Sequence, residues 1–123
     1  MKEKLTAKSD ERGSFFEVFK FPQCGQISFS TSKPGVVRGN HYHQNRKIEK
    51  FCILSGKAEL KLRNRENNEI QTHILSGDDP EVIEIPINHT HNIKNIGDND
   101  LYLLIWANEI FNPDNPDTYA EEV

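Results

Sequence analysis

Three histidines and one glutamate carry the chemistry that is most directly legible in this chain: His41, His43, Glu49 and His91. Alternate residues of a β-strand project to one face, so the His-x-His pair aims two imidazoles one way and turns Tyr42 the other. Glu49 opens the next apolar run, on the face shared by Phe51 and Ile53. A hairpin joining the two runs sets the carboxylate across from the imidazoles, and His91 begins a much later run after Pro86. Three neutral imidazoles and one carboxylate form a borderline-soft donor set that suits Zn2+, and equally Ni, Fe, Mn or Co. A His-x-His pair by itself is usually a polar stripe on a solvated face, so the weight falls on the whole pattern.

The elements that must position these residues are short runs of β type separated by turn signals. They fall at residues 14–20, 26–31, 36–43, 50–54, 57–63, 69–75, 82–85, 91–95 and 101–107. The cleanest puts Ala58, Leu60 and Leu62 on one face and Glu59, Lys61 and Arg63 on the other. No helical period is sustained, so the expected fold is all-β, a single small antiparallel barrel or sandwich. Its 123 residues make one domain, with residues 1–10 and 112–123 expected to be irregular. The run 101–107 is apolar on both sides, with Leu101, Leu103 and Ile105 facing one way and Tyr102, Leu104 and Trp106 the other. Burial on both faces of so small a barrel predicts a covering partner, a homodimer being the simplest.

A hydrophobic content of 35% and a charged content of 28% exclude a disordered chain. The net charge of −4 leaves no basic footprint for nucleic acid. No apolar run approaches the roughly 20 residues that span a bilayer, and residues 1–10 lack an apolar signal-peptide core. No membrane association is expected, and a cytoplasmic location is. Cys24 and Cys52 fit no metal-binding spacing, and in a reducing compartment they are expected to be buried thiols.

Taken together, Gly35-x5-His41-x-His43-x5-Glu49-x6-Gly56, Gly77 and Pro86-x-Asn88-x2-His91-x3-Asn95 resemble the two signatures of the cupin superfamily. Two departures stand out: a long gap between His43 and Glu49, and Asn88 in place of a glycine. Asn tolerates the left-handed backbone a glycine would supply. The flanking segments Asp10-Glu11-Arg12-Gly13, Gly25-Gln26-x-Ser28-x-Ser30 and Arg38-Gly39-x-His41 are similar to the sugar-nucleotide epimerase branch, which includes dTDP-4-keto-6-deoxyhexose 3,5-epimerases. Arg38-Gly39-Asn40-His41-Tyr42-His43, Thr90-His91-Asn92-Ile93 and the tail around Asn115-Pro116-Asp117-Thr118-Tyr119 resemble the C-terminal cupin domain of bifunctional, CapF-type capsular polysaccharide enzymes.

That resemblance implies a zinc-dependent C3 epimerase acting on a UDP-linked 4-keto-6-deoxy-N-acetylhexosamine. The chemistry is proton removal next to a ketone, with a Lewis acid stabilising the enolate charge and reprotonation from the opposite face. His41 stands where the metal-free epimerases place their base, so it is either ligand or base. If it is a ligand, His89 and Tyr102 become the candidate proton carriers. Arg38 offers a bidentate fork to a diphosphate, a rim salt bridge being the alternative. Gln26, Ser28 and Ser30 make a polar row that lines either a sugar pocket or the solvent face. The chain has no GxGxxG motif, so an NAD(P)-dependent reductase is expected as a separate partner. The competing readings are a 3,4-ketoisomerase on a dTDP-keto-sugar, a non-catalytic sugar- or nucleotide-binding cupin, and an iron dioxygenase.

Overall fold

A computed structural model describes all 123 residues. Its strands are β1 (Lys8–Asp10), β2 (Gly13–Phe21), β3 (Gly25–Ser32), β4 (Val37–Tyr42), β5 (Glu49–Ser55) and β6 (Lys57–Asn64), then β7 (Ile70–Ser76), β8 (Val82–Ile85), β9 (His89–Asn95), β10 (Leu101–Ala107) and β11 (Tyr119–Ala120). They form two antiparallel sheets, ordered β1-β2-β3-β10-β5-β8 and β11-β4-β9-β6-β7. This is the small all-β antiparallel architecture expected from the alternating runs. No helix is long and apolar enough to cross a membrane.

The alternation in β6 dictates its placement. Ala58, Leu60 and Leu62 are buried while Lys57, Glu59 and Lys61 reach solvent. Together with Ile53, Ile85, Ile93, Leu101 and Leu103 they fill the space between the sheets. The same two sheets diverge around a cavity whose walls carry the chemistry.

One irregularity re-aims the strand that bears the His-x-His pair. The register of β4 on β9 runs Val37–Lys94, Arg38–Ile93 and Gly39–Asn92, then jumps to His41–His91. Asn40 is the extra residue of a β-bulge, with φ +57°. Strict alternation would turn Arg38 and His41 to opposite faces, whereas the bulge brings both onto the cavity wall. Asn88, where the motif calls for glycine, likewise adopts φ +59°.

The structure corrects two expectations about the ends and the thiols. Residues 8–10 and 119–120 are not irregular but pair as edge strands, β1 on β2 and β11 on β4. Both cysteines are free, yet Cys24 is exposed and Cys52 half-buried. Cys24 sits in the turn between β2 and β3, and Cys52 points outward from β5, opposite the buried Phe51 and Ile53.

Candidate metal centre and its cavity

His41 and His43 leave the end of β4, Glu49 begins β5 in the opposite sheet, and His91 sits on β9 directly beside His41. The ligand atoms of all four residues lie within 4.8 Å of one another. His43 and His91 are each 1% exposed and Glu49 is 8% exposed. Glu49 Oε1 is 2.6 Å from His43 Nε2 and 3.8 Å from His91 Nε2.

Two features show that this set fits a divalent cation. His91 Nε2 is buried and has no hydrogen-bond partner, a costly state that a metal ion relieves. The second feature lies on the far side of the rings. His43 Nδ1 donates to the Asp117 carbonyl at 3.0 Å, and His91 Nδ1 to the His89 carbonyl at 3.2 Å. Each Nε2 is thereby the nitrogen left facing the other ligands, the arrangement metal-binding histidines commonly use.

Burial sets the charge states. Burial, reinforced by the neighbouring imidazoles, pushes His41 down to about 3 from its ordinary 6.5. Burial also pushes His91 down to about 4, against the pull of Glu49. Burial by itself would raise Glu49, but the hydrogen bond from His43 and the adjacent positive charge hold it below the usual carboxylate range. Neutral imidazoles and an ionised carboxylate are the forms that bind metal.

A pH prediction follows for the chelated protein. The unfolded chain takes up protons near pH 6.5, whereas folded His41 and His91 do so only near 3 and 4. The unfolded state binds more protons throughout that window, so stability falls as pH falls from about 6.5 and levels off only below about 3. The thermal midpoint of metal-free protein should be clearly lower at pH 5 than at pH 7.5. Equal midpoints would show that the imidazoles are not held neutral.

The centre opens on a cavity of about 370 Å3. Gln26, Ser28 and Ser30 line it from β3, buried to 6%, 3% and 1% exposure. The polar row therefore faces inward and Ile27 and Phe29 face out. Gln26 is held in place, its Nε2 donating to Ser28 Oγ and its Oε1 accepting from the Phe111 amide. Arg38 also lines the cavity and makes no salt bridge. Its guanidinium donates to Ser32 Oγ at 2.8 Å and to the Thr31 carbonyl at 3.0 Å. Burial and the nearby Arg12 lower its proton affinity, as expected of a cation that lacks an anionic partner.

The two sequence-derived proton carriers fall outside the cavity. Tyr102 is 41% exposed on the outer face of β10. Leu103, Ile105 and Ala107 are the residues of that strand that line the cavity. His89 opens β9 beside Asn64, with Nδ1 held by the Ile87 carbonyl, and does not line the cavity. Among the four metal-site residues, His41 alone makes no hydrogen bond through its side chain, and it is the most exposed. Sequence reasoning missed Glu17, Lys47 and Thr118, which line the cavity. No short-range pattern marks them, because they come from the middle of β2, the loop before β5 and the tail.

The chain matches the family described as polysaccharide biosynthesis C-terminal domain over residues 8–119. It is 44% identical over 112 residues to a Pseudomonas aeruginosa protein named UDP-2-acetamido-2,6-beta-L-arabino-hexul-4-ose reductase, a match that covers 91% of this chain and 30% of that protein. It is 30% identical to the Bacillus subtilis spore coat polysaccharide biosynthesis protein SpsL, covering 93% of this chain and 82% of that one. The crystal structure of the capsular polysaccharide assembling protein CapF from Staphylococcus aureus superposes with a TM-score of 0.95 at 46% identity, covering 99% of this chain and 35% of CapF. The chain thus spans about a third of the P. aeruginosa protein and of CapF, and most of SpsL. Because the family match runs from the first strand of the barrel to the last, this chain belongs to the polysaccharide biosynthesis C-terminal domain family, and its fold is that of a cupin.

Proposed function

We propose that this domain is a metal-dependent C3 epimerase acting on a UDP-linked 4-keto-6-deoxy-N-acetylhexosamine in capsule or O-antigen precursor synthesis. The observation that carries the proposal is the convergence of His41, His43, Glu49 and His91 on the wall of a cavity that also holds an unpaired arginine and a buried polar row. The name of the P. aeruginosa relative, a UDP-linked 4-keto-sugar reductase, supports the substrate class.

A divalent ion, Zn2+ by preference, would be held by His43, Glu49 and His91 beside His41, and would supply Lewis acidity for the charge that develops on a ketone oxygen during enolisation. The chain's own groups do the rest. Gln26, Ser28 and Ser30 offer hydrogen bonds to sugar hydroxyls and the acetamido group. Arg38 presents its guanidinium to the diphosphate. His41 is the candidate base, since its imidazole is neutral, faces the cavity and is free of other hydrogen bonds. In that role it leaves His43, Glu49 and His91 as the ligands. Neither Tyr102 nor His89 retains a part in proton transfer.

The outer face of β10, with Leu104 and Trp106 beside Ile27, Cys52 and Val82, forms an apolar groove. We assign it to a second copy of the chain, in a homodimer. Reduction of the epimerised sugar falls to an NAD(P)-dependent reductase, and the whole sequence is assigned to the cytoplasm.

The test is to incubate metal-loaded protein in heavy water with UDP-2-acetamido-2,6-dideoxy-4-keto-hexose and follow the C3 proton by NMR, with and without chelator. Chelator-sensitive loss of the C3 signal with an inverted product is the expected result. Movement of the carbonyl instead identifies a 3,4-ketoisomerase, and oxygen uptake identifies a dioxygenase. Nucleotide-sugar binding with no deuterium incorporation sinks catalysis and leaves a binding module. His41→Asn that keeps its metal but loses exchange assigns His41 as the base.

A further inference from the structure

Asp117 lies 2% exposed, in a tail segment that crosses back over the barrel mouth. Its carboxylate accepts hydrogen bonds from four successive backbone amides: Gln44 at 3.2 Å, Asn45 at 3.0 Å, Arg46 at 2.9 Å and Lys47 at 3.0 Å. Asn45 Nδ2 adds a fifth at 3.1 Å. Burial would raise this carboxyl, but the four amides hold it far below the usual carboxylate range. Residues 44–47 are the loop that joins the His-x-His pair to Glu49, and that loop is the long gap noted in the motif. The same residue's backbone carbonyl accepts the Nδ1 hydrogen of His43 at 3.0 Å.

We infer that Asp117 is a positioning residue for the metal centre, resting on the metal-site reading above. Its carboxylate fixes the span between His43 and Glu49, while its carbonyl fixes the ring orientation and tautomer of His43. A carbonyl can only accept, so Nδ1 keeps its hydrogen, and a metal taking the place of the hydrogen that Nε2 gives Glu49 would meet the Nε2 lone pair between Glu49 and His91. Asp117 holds φ +50°, a left-handed conformation that keeps carboxylate and carbonyl on the same loop and imidazole. The surrounding tail over-determines that conformation. Tyr119 stacks on Tyr42, and Glu121 binds Arg65 and the Thr90 hydroxyl. Thr118, next in sequence, lines the cavity, so one tail segment sets both a ligand and the wall.

The test compares the full chain with Asp117→Asn and Asp117→Ala. Each is stripped with chelator and titrated with Co2+, read by its ligand-field absorption, and with Zn2+ against a chromophoric chelator. Outer-shell partners of metal ligands typically govern affinity by about 10–100-fold. Asp117→Asn, which keeps the shape but halves the acceptor capacity, is expected to lose about 10-fold, and Asp117→Ala about 100-fold, with altered Co2+ absorption. If Asp117→Ala does not fold, Asp117→Asn and the wild type decide. Nitrogen-15 NMR of Zn2+-loaded wild type is expected to show His43 protonated at Nδ1 and ligating through Nε2. Variants that bind metal as tightly as wild type and differ only in thermal midpoint overturn the inference, as does ligation through Nδ1. A wild type that takes up no metal overturns the metal-centre reading and this one with it.

Discussion

Replacing Glu49 with glutamine is expected to lower affinity for Zn2+ by at least about 100-fold and to abolish C3 proton exchange, while leaving the barrel folded. Glu49 is the single anion of the set, buried to 8% exposure and 2.6 Å from His43 Nε2. The amide keeps the volume and one acceptor oxygen but removes the charge that offsets a divalent ion in a low-dielectric site. Outer-shell changes alone cost metal sites about 10–100-fold, so loss of the anionic ligand falls at or beyond the top of that range. Metal content after gel filtration and the heavy-water exchange rate check the prediction together. A Glu49→Gln protein that retains stoichiometric metal would remove Glu49 from the ligand set.

Leu60→Ala is expected to do the reverse, costing about 2–5 kcal/mol of stability while leaving metal affinity within about twofold of wild type. Leu60 is fully buried on β6, paired with His73 on one side and Ile93 on the other. Truncation leaves a void between sheets whose backbones are tied on both sides and cannot close over it. For a domain of this size the thermal midpoint should drop by roughly 10–20 °C. Leu60 does not line the cavity, so calorimetry and metal titration should separate cleanly. A drop of less than about 1 kcal/mol would mean that the core relaxes around the gap.

The strands were legible wherever alternation was strong. Residues 57–63 and 101–107 match β6 and β10 to within one residue, because charged residues interleave with apolar ones in the first and the second is an unbroken apolar and aromatic run bounded by turn residues. The four candidate metal-site residues were legible as a group because their order and spacing resemble the two cupin signatures. The direction of β10 was not. Both its faces are apolar, so sequence could not tell whether Tyr102 or Leu103 points inward. Its neighbours decide, since β3 brings Ser28 and Ser30, and β5 brings Phe51 and Ile53, to the side of Leu103 and Ile105. The bulge at Asn40 was equally hidden, although Gly39-Asn40 is a pair able to adopt positive φ and does so at both positions. Asp117 was beyond reach because its partners lie about 70 residues away, and no local pattern encodes so distant a contact.

The reach of that tail bears on the order of events during folding. Ligands on β4, β5 and β9 can converge once the two sheets meet, but the loop between His43 and Glu49 gains its anchor only when residue 117 arrives. Contacts of such long sequence separation carry the largest loop-closure entropy and tend to form late. During synthesis the half-built barrel therefore exposes an open, exchangeable cluster of imidazoles before it holds a locked one. On the metal-centre reading, commitment to a particular metal would then fall near the end of folding, when competing ions can still leave and the finished tail makes the choice durable.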